Sequence, residues 1–287
     1  MIIMEKQFPR TMVGGKSLSR MIIGTNWMAG WSHTGAAADA MIKERHSTPD
    51  TLIPMFEKFL EYGVDTVMAP FGAAPVVLRA VKETEQKVGK KIIMVDTPGI
   101  NIEDSAKGRQ EAMAMLRQSR ENGADFCLIH HGKAELLVNK EKREIRRLDD
   151  YTKMIRDEGM IPGLSAHMPE LVLYSDEQGY DVETYIQIYN CMGFLMQSEV
   201  ENINRIIRNA KKPVMTIKSM AAGRCTPFVG LNFSWATIRD CDMVTVGCFS
   251  EREAAEDIEI SLAALERRAV NLEGRSSPDT NQAVLKK

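Results

Sequence analysis

The chain contains five histidines, and two of them are adjacent. The stretch DFCLIHHGKAE, residues 125–135, is an apolar run that closes on His130 and His131 and then on Gly132. Imidazoles at the end of a buried run suit two kinds of chemistry: proton transfer near neutral pH, and ligation of a divalent transition metal. Two other groups have similar settings. Asp96 lies near the end of KIIMVDT (91–97), and His167 closes IPGLSAH (161–167). Asp96, His130 and His167 together offer one carboxylate and two imidazoles, a donor set for zinc, manganese or iron. The same side chains suit metal-free acid/base catalysis with a histidine as proton carrier. The three are far apart in sequence, so only the fold can bring them together. His131 is expected to face away or to support the site from behind, because adjacent strand residues point to opposite sides. Lys218 and Arg224, near the end of PVMTIKS (213–219), could bind an anionic group of a substrate or cofactor. Plainer roles exist for each: Asp96 ahead of Thr-Pro-Gly can shape a turn, and the two cations can be solvated.

The elements that must position these residues alternate along the chain. Short apolar runs occur at 20–26, 65–70, 91–97, 126–131, 161–167, 193–197, 213–219 and 243–249. Continuous rather than alternating apolar runs are the pattern of strands covered on both faces. Helix signatures lie between them. STPDTLIPMFEKFLEYG opens on a Ser/Thr cap, carries Pro49 in its first turn and stops at Gly63. SEREAAEDIEISLAALERR places Ser250 and Glu253 at capping-box spacing. Eight strands alternating with helices predict a (β/α)8 barrel, a TIM barrel, in one domain over 1–287. Gly14-Gly15 within FPRTMVGGKSLSR predicts an N-terminal hairpin over 8–20, and the polar segment 272–287 is expected to be a loose tail. Barrel active sites form at the carboxyl ends of the strands, where Asp96, His130, His167 and Lys218 fall. The loop after the first strand carries Trp27, Trp31 and His33 and is long enough for a lid.

Composition narrows the function classes. The chain of 287 residues is 44% hydrophobic and 26% charged, with a net charge of −2. That balance provides no basic footprint for nucleic acid. Five cysteines without a CxxC pair read as reduced thiols of a cytoplasmic protein. No apolar run reaches the roughly 18 residues of a membrane span, and the expected partner is a small molecule. The oligomeric state is not readable from the chain.

The order of motifs resembles the aldo-keto reductase superfamily over nearly the whole chain. FPRTMVGGKSLSRMIIGTNWMAGW is similar to that family's opening hairpin and first strand, and FEKFLEYGVDTVMAP to its second helix-to-strand passage. DFCLIHHG resembles its fourth strand and sets His130 on the family's active-site histidine. IRDEGMIPGLSAHMPE sets Ser165 on the serine that holds the nicotinamide amide, and FLMQ sets Gln197 on the glutamine with the same task. KSMAAGR, which includes Arg224, resembles the turn after the seventh strand, and DMVTVGCFSEREAAEDIE the last strand and the cofactor-flanking helix that starts at Ser250. The resemblance implies NADP as cofactor, with Ser165, Gln197, Arg224 and Ser250 near it.

It departs from the family where reduction is carried out. Met68 stands in place of the family's aspartate, Phe71 where its tyrosine would be sought, and Asp96 and Thr97 where its lysine belongs. Hydride reduction needs a proton donor to the developing alkoxide, and loss of a positioned acid costs about 10²–10⁴ in rate. Three readings follow. The first is an enzyme with altered chemistry, metal-assisted or histidine-based, acting as isomerase, lyase or hydrolase on a small polar, sugar-like substrate. The second is an NADP-dependent oxidoreductase with a non-standard acid. The third is a non-catalytic ligand-binding barrel. Ordinary carbonyl reduction is not expected.

Overall fold

The computed structural model describes residues 7–272. The expected tail therefore lies, from residue 273 on, outside the described residues. Strands β1 (Arg10–Val13) and β2 (Lys16–Ser19) form an antiparallel hairpin with Val13 opposite Lys16. Gly14 and Gly15 turn the chain with φ of +54° and +82°, left-handed values that match the twist of a two-residue hairpin.

Eight parallel strands then close a barrel. In chain order they are β3 (Met21–Gly24), β4 (Thr66–Ala69), β5 (Ile93–Asp96) and β6 (Phe126–Ile129). A two-residue ladder of β7 (Val138–Asn139) and β8 (Glu144–Ile145) interrupts the series. The barrel resumes with β9 (Ile161–Ala166), β10 (Tyr185–Ile188), β11 (Val214–Ile217) and β12 (Met243–Gly247), which pairs with β3. This is the (β/α)8 barrel with an N-terminal hairpin that the alternation predicts.

Side chains along each strand alternate between two cores. Ile22, Met68, Val95, Phe126, Leu128, Ile186, Met215 and Met243 fill the barrel interior, joined by Val13 and Leu18 of the hairpin. The other parity packs outward against the helices, as Ile23, Val67, Met94, Cys127 and Val244 do. The hairpin seals the amino-terminal end through ion pairs to strand starts: Arg10 with Asp65 at 2.9 Å and Lys16 with Asp125 at 2.6 Å. The polar mouth is thus confined to the opposite end.

One strand differs from the sequence expectation. The sixth barrel strand is 185–188, YIQI, and not the run 193–197. Asn190 folds the chain away just after β10: its Oδ1 accepts from the amides of Met192 and Phe194, and its Nδ2 donates to the Phe194 carbonyl. Gly193 and Leu195 both take left-handed φ values there, which no extended strand permits. The polar Gln187 concealed the true strand from a search for apolar runs.

Candidate functional site

A cavity of about 300 Å³ opens at the carboxyl ends of the barrel strands. The segment after β3 folds as a short helical turn, Asn26–Ala29, and a helix, Ala36–Arg45. Trp27, Trp31 and His33 of that segment line the cavity. Space for Trp27 depends partly on Gly247, which pairs with Gly24 at the top of the neighbouring strand. A Cβ on Gly247 would stand 3.4 Å from Trp27 Cδ1.

His130, His131 and His167 all line this cavity. β6 ends at Ile129, and a helical turn, His131–Ala134, begins at once with His130 as its N-cap. His130 Nδ1 accepts from the Gly132 amide at 3.2 Å, so the proton of the neutral ring is on Nε2. The expectation that His131 faces away is corrected here. Strand parity stops at residue 129, and the helical turn swings His131 into the cavity. Its ring stacks on His167 with centroids 3.6 Å apart and planes within 16°, and lies 4.3 Å from the His130 ring.

The same turn brings in Glu135, which the sequence reading did not include. Four residues beyond His131, it lies on the same helical face, with Oε1 3.9 Å from His131 Nδ1. Glu135 Oε1 also accepts from the backbone amides of His167 at 2.6 Å and Met168 at 2.9 Å, tying the end of β6 to the end of β9. The i, i+4 spacing of His131 and Glu135 was the available signal.

Asp96 requires a second correction. Val95 faces the barrel interior and Thr97 lines the cavity, so Asp96 between them points outward. Its carboxylate is 1% exposed and accepts from the Phe71 amide at 3.0 Å. Burial raises its pKa, against hydrogen bonds from Ser119 and the Phe71 and Thr97 amides. It shapes the wall, as the plainer reading allowed, and does not join His130 and His167 around one ion. Among the described residues, the group with metal-ligand reach is His131, Glu135 and His167, whose ligand atoms lie within 4.8 Å of one another. One carboxylate and two imidazoles are donors of the kind that zinc, manganese or iron takes, although the two rings are stacked and would have to turn to aim at one ion.

Burial also sets the electrostatics. It lowers His130 to about 4, with the neighbouring His131 adding to the effect. It lowers His167 to about 3, with help from His131, Lys218, His130 and His33. His131 is shifted the same way, by burial first and then by Lys218 and His33. The cluster is therefore neutral at pH 7, with lone pairs available. Two protonated rings about 4 Å apart would repel by roughly 4 kcal/mol at an effective dielectric constant near 20.

Lys218 follows β11 and also lines the cavity. Its Nζ lies 3.1 Å from His33 Nε2, while His33 Nδ1 lies 2.8 Å from the Trp31 carbonyl. The carbonyl can only accept, so His33 carries its proton on Nδ1 and Nε2 accepts from the lysine. Burial brings Lys218 down to about 8. His33, Lys218, Ala221 and Ala222 have φ between +50° and +61°, a clustering of uncommon backbone conformations around the mouth. The buried hydroxyls of Ser219 and Thr245, both in the cavity lining, find no protein partner among the described residues.

The residues implied by a nicotinamide cofactor separate. Ser165 is in the cavity. Gln197 is exposed in a distinct surface cleft with Lys140, Arg143 and Glu170, a consequence of the displaced sixth strand. The glutamine on that strand is Gln187, whose Nε2 donates to the carbonyls of His167 and Ile188. The Arg224 guanidinium lies 3.8 Å from the Phe194 ring centroid and donates to the Ala221 and His33 carbonyls, so it anchors the mouth. Ser250 Oγ accepts from the Glu253 amide, and Glu253 returns a bond to the Phe249 amide. This reciprocal cap, with Glu251 and Glu253 in the first turn, opposes a phosphate at that helix end. Apart from Ser165, the residues present do not fit the expected dinucleotide. Nor is a reductase acid in place: Met68 lines the cavity and Phe71 is buried in the outer core.

Fold and site together define a parallel (β/α)8 barrel with a polar, imidazole-rich cavity at its carboxyl end. Neither a family model nor a curated protein matches the chain. Solved structures do. A Pseudomonas aeruginosa protein assigned to the aldo-keto reductases superposes with a TM-score of 0.64 at 14% identity, over 92% of this chain and 98% of its own. A glycerol dehydrogenase of Gluconobacter oxydans gives 0.56 at 12% identity, over 93% and 98%. An aldo/keto reductase of Klebsiella pneumoniae, solved with NADP and acetate, gives 0.53 at 13%, over 97% and 95%. The chain folds as a barrel like that of these aldo-keto reductases, and at these identities the likeness is one of fold. Among the described residues, no helix is long and apolar enough to cross a membrane.

Proposed function

We propose that this barrel is an enzyme of altered chemistry that transfers a proton on a small, polyhydroxylated carbonyl compound, as an isomerase or lyase. The observation that supports it is the convergence of His130, His131 and His167 in one cavity, with Glu135 within metal-ligand reach of His131 and His167, in place of a carbonyl reductase's acid. His130 presents a neutral Nε2–H able to hydrogen-bond a substrate oxygen. His131, Glu135 and His167 would hold a divalent transition metal, whose contribution would be to polarise the carbonyl. Trp27 and Trp31 line the same cavity and would limit water around a bound substrate.

A second reading is an NADP-dependent oxidoreductase with a non-standard acid. The reductases and dehydrogenase of like fold support it more directly than they support the first, and the presence of Ser165 in the cavity lining is consistent with it. The cavity side chains favour the first. Metal analysis of the purified protein, paired with a fluorescence titration of NADPH, separates the two. Stoichiometric metal lost from His167→Ala, with no NADPH binding, is expected. Tight NADPH binding without metal would favour the oxidoreductase, and neither would return the barrel to non-catalytic ligand binding.

A further inference from the structure

We propose that Lys218 is a covalent catalytic residue whose amine condenses with the carbonyl carbon of the substrate to form an imine. This goes beyond the proton transfer above and requires no metal. Three observations carry it. Lys218 stands at the carboxyl end of a barrel strand with its side chain lining the cavity, where a substrate carbonyl would enter. Its neighbour at 3.1 Å is an imidazole acceptor, His33 Nε2, held in the required tautomer by the Trp31 carbonyl. Its backbone is pinned at φ +61°, an uncommon value for a lysine, which fixes where the side chain emerges.

His33 Nε2 is placed to take a proton from the ammonium and free the lone pair. Nζ then adds to the carbonyl carbon, and the carbonyl oxygen becomes the hydroxyl of a carbinolamine. Protonation of that hydroxyl and its departure as water leaves a C=N bond to Nζ, with no net oxidation or reduction. The protonated imine would withdraw electrons from the adjacent carbon and make proton loss or carbon–carbon cleavage there easier, consistent with an isomerase or lyase. Burial aids the first step: with a pKa of about 8, roughly a quarter of Lys218 is neutral at pH 7.5, against about 0.1% of an ordinary lysine.

The test uses the full-length, EDTA-treated protein with dihydroxyacetone and sodium cyanoborohydride at pH 7.5, followed by peptide mass mapping. The expected result is a reduced adduct on Lys218 forming at least about tenfold faster than on the exposed Lys90 and Lys107. Lys218→Arg, shown to be folded by circular dichroism, should lose that adduct and leave the slow surface labelling unchanged. Even labelling of surface lysines, or a Lys218 no faster than they are, overturns the imine. Zinc binding that survives such a result leaves the proton-transfer reading standing, so the two failures are distinguishable.

Discussion

Neutral, crowded imidazoles should make the metal-free protein sensitive to mild acid. His130 and His167 titrate near 4 and near 3 in the folded chain, against about 6.5 when unfolded. Between those values the unfolded chain binds protons that the native state refuses. Stability is therefore full above about pH 6.5, falls as pH drops through the unfolded value, and levels off only below the folded ones. For one such imidazole the loss from pH 7 to pH 5 is about 1.9 kcal/mol, and for two independent groups about 3.7 kcal/mol. Both rings are partly solvated, so screening reduces this to about 2 kcal/mol for the pair. Urea unfolding of EDTA-treated protein at pH 7, 6 and 5 measures it, with the double variant His130→Asn/His167→Asn as reference. The wild-type chain should lose about 2 kcal/mol more than the variant over that range. Equal losses, within about 0.5 kcal/mol, would refute a neutral imidazole cluster.

Other outcomes follow from the same geometry. Asp96→Ala strips the buried Phe71 amide of its acceptor and should cost about 1–3 kcal/mol in unfolding free energy, while a zinc titration remains unchanged. Glu135→Ala leaves two amides without their carboxylate and should cost more than about 2 kcal/mol and at least about tenfold in zinc affinity; Glu135→Gln should recover most of the stability but not the affinity. If the second reading holds, Ser165→Ala should weaken NADPH binding and Gln197→Ala should not, because only the first lies in the cavity.

The barrel was legible because its strands are buried on both faces and so appear as uninterrupted apolar runs. The exception, 185–188, carries a glutamine that only its neighbours' register places within the sheet. The site was legible in part. His130, His167, Ser165 and Lys218 could be found as strand-end residues, and all four line the cavity. Asp96 could not be judged from its place at a strand end. Its direction depends on parity, which is set by which neighbours face the interior. His131 was misread because a strand rule was applied two residues past the end of the strand. Glu135 acquires its role from two amides at the end of β9, and Lys218 meets His33 across 185 residues of chain. Such pairings exist only after the barrel has closed.

The most direct test of the account is deuterium exchange into a carbonyl substrate. Full-length protein with added zinc or manganese, in D2O and without nicotinamide, is incubated with dihydroxyacetone or glyceraldehyde, and incorporation beside the carbonyl is followed by proton NMR. The account predicts incorporation above the buffer rate, reduced by at least about 10² in His131→Ala and in His167→Ala. No incorporation with either metal, together with NADPH-dependent reduction of the same compounds, would contradict it.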